Sequence, residues 1–317
     1  MNIISGSTYY SFAESVAKKL KIRVTDSLVT RYPDSETSFE INESVREKHI
    51  FIIQSKSNCI NDDIMELLII CHTCKLVSSH KITVVLTYFP YARQNKKQKS
   101  RSPITSKLFA NLLQVSGVDS VITMDLHSPQ IQGFFNIPVD NITAESLIIK
   151  YIKESIPNWE KSVIVSPDAG GTKRVTSLAT KMGLNFAIIH KHKNKSNKQI
   201  ESMVLVGDIK KRVVIIVDDL ADTCRTVVSA AQKLEESNAL KVYAIVIHGV
   251  LSEQSFDLIN NSCLQRFVVT NTVPQHLNKE RCNKLVVIDV SNVFANAINR
   301  IFNGQSISDL SLNVPNS

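Results

Sequence analysis

Apolar and polar positions in this chain come in blocks rather than in strict alternation. Short runs rich in Ile and Val recur at residues 2–5, 37–41, 49–54, 81–86, 120–124, 162–165, 185–190, 213–217, 241–247, 266–270 and 284–289. Runs of that kind read as strands, most of them buried on both faces as in a parallel sheet. Between them the apolar residues fall at helical spacing over 12–20, 62–76, 104–115, 174–181 and 227–234, with a last helix ending near 301. Repeatedly a strand delivers polar residues at its carboxyl end and a helix returns, which is how open parallel α/β sheets assemble binding sites. The pattern predicts an α/β protein of two doubly wound domains with mainly parallel sheets. They part near 141–145, giving 1–144 and 145–303, with the polar tail 304–317 packing on the first.

Composition narrows the function classes. A chain of 317 residues, 43% hydrophobic and 6% aromatic, has the length of about two domains and the make-up of α/β layers. Lys and Arg exceed Asp and Glu by 37 to 29, a net +8 that favours anionic partners. Polyphosphates and nucleic acid both qualify by charge. The basic residues lie at predicted strand ends rather than along one stripe, which speaks against nucleic acid. No apolar run approaches the roughly 20 residues of a membrane span, and the first residues lack a signal-peptide layout, so a cytoplasmic protein is expected. Six cysteines are scattered through apolar context. Cys71 and Cys74 share a C-x-x-C spacing without a second pair and read as core thiols.

The chemistry concentrates in residues 213–226, VVIIVDDLADTCRT. The strand ends in Asp218 and Asp219, and a tight turn follows through Asp222, Thr223, Cys224, Arg225 and Thr226. Strand, polar turn and helix is the geometry that seats a phosphate on the unpaired N–H groups of a helix N-terminus. The carboxylates suit sugar hydroxyls, which need acceptors, and Mg²⁺, which prefers oxygen ligands. A sugar phosphate is the ligand implied. A buried strand followed by a plain N-capped helix accounts for the same residues without any ligand.

The wider segment resembles the phosphoribosyl-binding loop of the ribose-phosphate pyrophosphokinases, and type I phosphoribosyltransferases share a looser version. Four stretches match in order, so the resemblance covers essentially the whole chain. It implies a type I phosphoribosyltransferase-like fold and transfer of the β,γ-diphosphoryl group of ATP to O1 of ribose 5-phosphate, with Mg²⁺ as cofactor. It also implies a homo-oligomer, commonly a dimer-based hexamer, or a hetero-oligomer with a paralogue. Tyr32, Asp34 and Glu36 match the adenine-contacting turn, and Arg93 and Gln94 match ATP contacts. Asp125, His127 and Asp140 match a segment assigned to metal binding, His127 being better suited to an ATP phosphate or a metal-bound water. Asp168, in SPDAGG, matches an acid near Mg²⁺ and ribose, and Lys191 and Lys193 fall on the mobile catalytic loop. Ser44, Arg46, Lys99, Ser100, Arg101 and Ser306 match positions around an allosteric anion site, whereas Asp309 and Ser311 replace the usual aromatics of the tail.

Five departures touch the chemistry. Asn95, Gln98 and Asn136 stand where the family has acids, and Lys193 stands for an Arg whose fork binds phosphate in two places. Arg225 stands for a Gly. A phosphate-cradling turn that needs φ > 0 there would be strained by any other residue, so weakened sugar-phosphate binding is expected. Together the departures support an alternative, a catalytically weak subunit that associates with an active paralogue.

Overall fold

The computed structural model describes residues 1–193 and 200–308, the side chains of 191–193 and 200–202 excepted. The chain forms two compact units, Met1–Ala144 with Thr272–Pro274 and the chain from Val290, and Glu145–Asn271 with Gln275–Asp289.

The first unit holds a parallel sheet of β1 (Asn2–Ser5), β4 (His49–Gln54), β5 (Lys81–Leu86), β6 (Ser120–Met124) and β7 (Val139–Ile142), in chain order across the sheet. Between β1 and β4 run α1 (Tyr10–Lys19) and an antiparallel hairpin of β2 (Ser27–Arg31) and β3 (Thr37–Ile41). Consecutive residues Ile50, Phe51, Ile52 and Ile53 are all fully buried, so both faces of the sheet are covered. On one face, Leu67 and Ile70 of α2 (Ile60–Leu76) and Phe109 and Leu113 of α3 (Thr105–Val115) join Ile50, Ile52, Ile82 and Val84 in one core. Opposite, Phe12 of α1 meets Phe294 of α9 (Ser291–Phe302) edge to face at 5.7 Å. Sequence order alone assigns α9 to the second domain. Its buried stripe of Val293, Phe294, Ala297 and Ile298 places it in the first unit, beside α1.

The second unit begins with α4 (Glu145–Ser155) and carries a seven-stranded sheet. Its strands are β8 (Val163–Ser166), β9 (Asn185–Lys193), β10 (Ile200–Val206), β11 (Val213–Ala221), β12 (Lys241–Gly249), β13 (Leu264–Thr270) and β14 (Leu285–Ile288). Across the sheet they run β10-β9-β8-β11-β12-β13-β14, parallel except for the edge strand β10. The helices α5 (Thr172–Met182), α6 (Arg225–Glu236), α7 (Gln254–Asn260) and α8 (His276–Arg281) fall between these strands in sequence. The chain leaves β8 toward β9 on one side and later returns to lay β11 on the other. That reversal between β8 and β11 is a switch point, where open α/β sheets leave a crevice beyond the carboxyl ends of the strands. Among the described residues no helix is long and apolar enough to cross a membrane.

Candidate active site

Both strands flanking the switch point end in acids. β8 and β11 pair through Ile164–Ile215 and Val165–Ile216, so Asp168 just beyond β8 and Asp218 and Asp219 on β11 come to the same edge. Asp168 caps the turn Ala169–Gly171, its Oδ1 accepting from the amides of Gly170 (2.9 Å) and Gly171 (3.3 Å). Ser166 Oγ donates to the Asp168 carbonyl at 2.6 Å. A Cβ on Gly171 would lie 2.6 Å from that hydroxyl and would push it out of this hydrogen bond. The amide of Asp219 donates to Asp218 Oδ1 at 2.9 Å. Burial holds the Asp218 carboxyl well above the usual carboxylate range, and the charges of Asp219 and Asp168 push the same way. Arg174, in the first turn of α5, places Nη1 3.9 Å from Asp219 Oδ1.

Beyond Asp219 the turn is clamped from the next strand–helix connection. The Asp222 carbonyl accepts from Ser252 through both its amide (3.1 Å) and its hydroxyl (3.3 Å), and the Ala221 carbonyl accepts from Val250 N–H at 2.8 Å. Cys224 takes the left-handed conformation, φ 58°, and α6 begins at Arg225, two residues before the helical spacing in the sequence starts. The first bond of α6 runs from Val228 N–H to the Cys224 carbonyl at 2.9 Å, so the amides of Arg225, Thr226 and Val227 precede the hydrogen-bonded helix. They form the anion-attracting end of the loop. The strain expected at Arg225 is therefore not there: the residue is helical, and the left-handed position belongs to Cys224. The exposed Arg225 side chain reaches Gln254 Oε1 at 3.4 Å. Thr223 is exposed and Thr226 half-buried.

Residues 1–117 match the family model described as the N-terminal domain of ribose phosphate pyrophosphokinase, and residues 193–311 match the phosphoribosyl synthetase-associated domain. The crystal structure of phosphoribosylpyrophosphate synthetase from Mycobacterium smegmatis superposes with a TM-score of 0.90 at 35% identity, covering 96% of this chain and 99% of that one. The chain belongs to the ribose-phosphate pyrophosphokinase family. A purine phosphoribosyltransferase from Pyrococcus horikoshii, at 15% identity over 46% of this chain and 86% of its own, reaches a TM-score of only 0.29 and carries no weight.

Within this pyrophosphokinase fold the residues matched to ATP contacts lie in the first unit. Tyr32, Asp34 and Glu36 form the β2–β3 turn, where Tyr32 N–H bonds the Glu36 carbonyl (2.9 Å) and Asp34 Oδ1 accepts from Glu36 N–H (3.1 Å). The Tyr32 ring is exposed. Arg93 and Gln94 follow the carboxyl end of β5, and His127 follows that of β6, the strand beside it. Gln94 Oε1 accepts from Thr105 Oγ1 at 2.6 Å, so this side chain is engaged at the start of α3.

The carboxylates matched to metal binding are not gathered. Among the described residues no three His, Cys, Asp or Glu side chains group to hold a metal. Asp125 turns back on its own chain, Oδ2 accepting from Ala144 N–H at 2.7 Å and Oδ1 from Thr143 Oγ1 at 3.4 Å. Asp140 pairs with Ile122 inside the sheet, whereas Asp125 lies past the end of β6 with its amide on the Ile142 carbonyl. Burial raises the Asp140 carboxyl, against a smaller opposing effect of Lys81. Asp168 belongs to the other unit.

Lys191 and Lys193 end β9, paired antiparallel with Met203 and Ile200 of β10. These two positions thus stand on a strand and not in a loop; their side chains, residues 194–199 and the tail positions Asp309 and Ser311 lie outside the described residues. Two site residues escaped the sequence reading, Arg174 and Ser252. A basic residue soon after a Gly-Gly turn was visible in the sequence, but nothing there showed that it meets an acid 45 positions on.

Proposed function

We propose that this protein is a ribose-phosphate diphosphokinase, transferring the β,γ-diphosphoryl group of ATP to O1 of ribose 5-phosphate and yielding phosphoribosyl pyrophosphate and AMP for nucleotide biosynthesis. The observation that carries this reading is the switch point between β8 and β11, where acids and a helix N-terminus meet at one sheet edge. The 5-phosphate seats on the opening amides of α6, with the hydroxyls of Thr223 and Thr226 as further donors. Asp218, Asp219 and Asp222 face the sugar and offer carboxyl oxygens that accept from its hydroxyls. Tyr32 stacks on adenine with Asp34 and Glu36 beside it, while Arg93, Gln94 and His127 hold the ATP phosphates. Lys191 and Lys193 bring positive charge to the transferring group, where it acts most strongly in the transition state.

The acids at the switch point are hard oxygen donors and fit Mg²⁺, which commonly uses one or two carboxylates plus substrate phosphates rather than a full protein cage. Asp168 is the residue assigned to it, through the oxygen not taken by the Gly170 and Gly171 amides. Bound Mg²⁺ would neutralise phosphoryl charge. Asp125 and Asp140 keep no part in that assignment, given their engagement with the backbone and the sheet.

The decisive experiment supplies ATP, ribose 5-phosphate and Mg²⁺ and follows AMP and phosphoribosyl pyrophosphate. Equimolar formation of both is expected. Ribose 5-phosphate binding without turnover would favour the weak-subunit alternative, and no binding would sink the reading. The helical backbone of Arg225 removes one of that alternative's arguments.

A further inference from the structure

We infer that Arg174 is a positioning residue that fixes Asp219 as a charged acceptor for the sugar. The inference rests on the ribose-phosphate reading and adds a residue to it. Arg174 stands in the first turn of α5, where a cation opposes the helix dipole, so its position needs another cause. The cause in view is Asp219, 3.9 Å away on β11, with both side chains largely shielded (24% and 11% exposed). At that distance and burial the charges attract strongly, yet the separation is too long for a hydrogen bond. The guanidinium thus supplies charge to the carboxylate without occupying its oxygen by a hydrogen bond of its own.

The arrangement is rigid at both ends. Val175, Leu178, Ala179 and Met182 bury the inner face of α5, and β11 is paired on both sides by β8 and β12. Asp168 caps the turn Ala169–Gly171 that leads into α5, so one short segment, 168–174, both carries an acid of the site and anchors another. Without Arg174, the shielded Asp219 carboxylate would have less opposing charge to hold it in place and would turn away. That movement removes an acceptor for the sugar.

The test measures ribose 5-phosphate binding by calorimetry and, separately, KM for each substrate. Arg174→Met should weaken ribose 5-phosphate binding roughly 10- to 100-fold, the range for losing a partner that orients a ligating group, with KM for ATP little changed. Arg174→Lys should recover most of it, since charge rather than a fork is what the distance uses. In the double variant Arg174→Met/Asp219→Ala the loss should equal that of Asp219→Ala alone. Unchanged affinity in Arg174→Met, additive losses in the double variant, or a parallel rise in both KM values would overturn the inference. If Arg174→Met does not fold, Arg174→Lys and Arg174→Gln with the same cycle decide it. Product formation by the unaltered protein with an indifferent Arg174 defeats the inference alone; absence of ribose 5-phosphate binding by the unaltered protein defeats the functional reading and the inference together.

Discussion

Asp219 donates its backbone N–H to the carboxylate of Asp218, its neighbour on the same strand, at 2.9 Å. One acid is thereby held against the amide of the next, in a place with little water. Burial outweighs that single amide, so Asp218 keeps its proton far above the pH at which an ordinary carboxyl loses it. In the unfolded chain Asp218 ionises near the usual value of about 3.9. Between that value and the raised native one, the folded state binds the extra proton. Its contribution to stability is therefore full below about pH 4 and is lost as pH rises through the native pKa. Asp218→Asn should flatten this decline in urea titrations run from pH 4 to 8 without added Mg²⁺. An unaltered slope would mean that Asp218 is ionised in the folded protein.

Asp219→Ala removes an acceptor for the sugar hydroxyls. Hydrogen bonds to a charged group contribute about 1.5–3 kcal/mol. Ribose 5-phosphate binding should therefore weaken by roughly 10- to 100-fold in calorimetry, while ATP binding holds. Equal affinity after the change would place the sugar elsewhere.

His49 gives the first unit an acid-sensitive point. Its ring stacks on Phe51 at 4.2 Å and its Nε2 lies 2.8 Å from Thr83 Oγ1, which meets Ser120 Oγ at 2.8 Å. Burial, then Lys81, the chain N-terminus and His80, push its pKa down to about 4, with Asp119 opposing. The unfolded chain takes up this proton near pH 6.5, so stability falls as pH drops from about 6.5 to about 4 and levels off below. Because the ring is only half-buried, solvent screening limits the effect to about 1–2 kcal/mol. His49→Gln should reduce the acid-induced fall in Tm over that range. An identical fall in both proteins would assign the acid sensitivity to other groups.

Much of this architecture was legible because buried parallel strands need apolar side chains on both faces. Runs such as Val213–Val217 and His49–Gln54 therefore stand out, and the acids at their ends with them. What stayed hidden was set by partners distant in sequence. β7 is an edge strand that gains its identity from pairing with β6, and β10 gains its own from β9. α9 follows β14 in the chain but finds its apolar partner in Phe12 of α1. The turn that holds the left-handed Cys224 is tied down by Ser252, which donates to the Asp222 carbonyl from 30 residues away. The spacing of carboxylates in the sequence likewise could not show that Asp125 serves its own backbone while Asp168 opens a helix.

Because Cys224, and not Arg225, is left-handed, the two neighbours should respond in opposite ways to glycine. At Cys224, Gly relieves the left-handed backbone, about 1–2 kcal/mol. Against this stand the loss of a thiol that is only 3% exposed and the greater freedom of Gly in the unfolded chain, together of similar size. Cys224→Gly should then shift stability by no more than about 1 kcal/mol. Cys224→Val, which puts a β-branched residue at φ 58°, should cost more than about 2 kcal/mol and disturb the phosphate end of α6. Arg225→Gly has no strain to relieve. It places Gly in the first helical turn, costing up to about 1 kcal/mol, and gives up the contact with Gln254. Its Tm should fall slightly and its ribose 5-phosphate affinity should not rise. Tighter ribose 5-phosphate binding in the Gly variant would show that the Arg225 side chain obstructs the phosphate site, and the weak-subunit alternative would regain support.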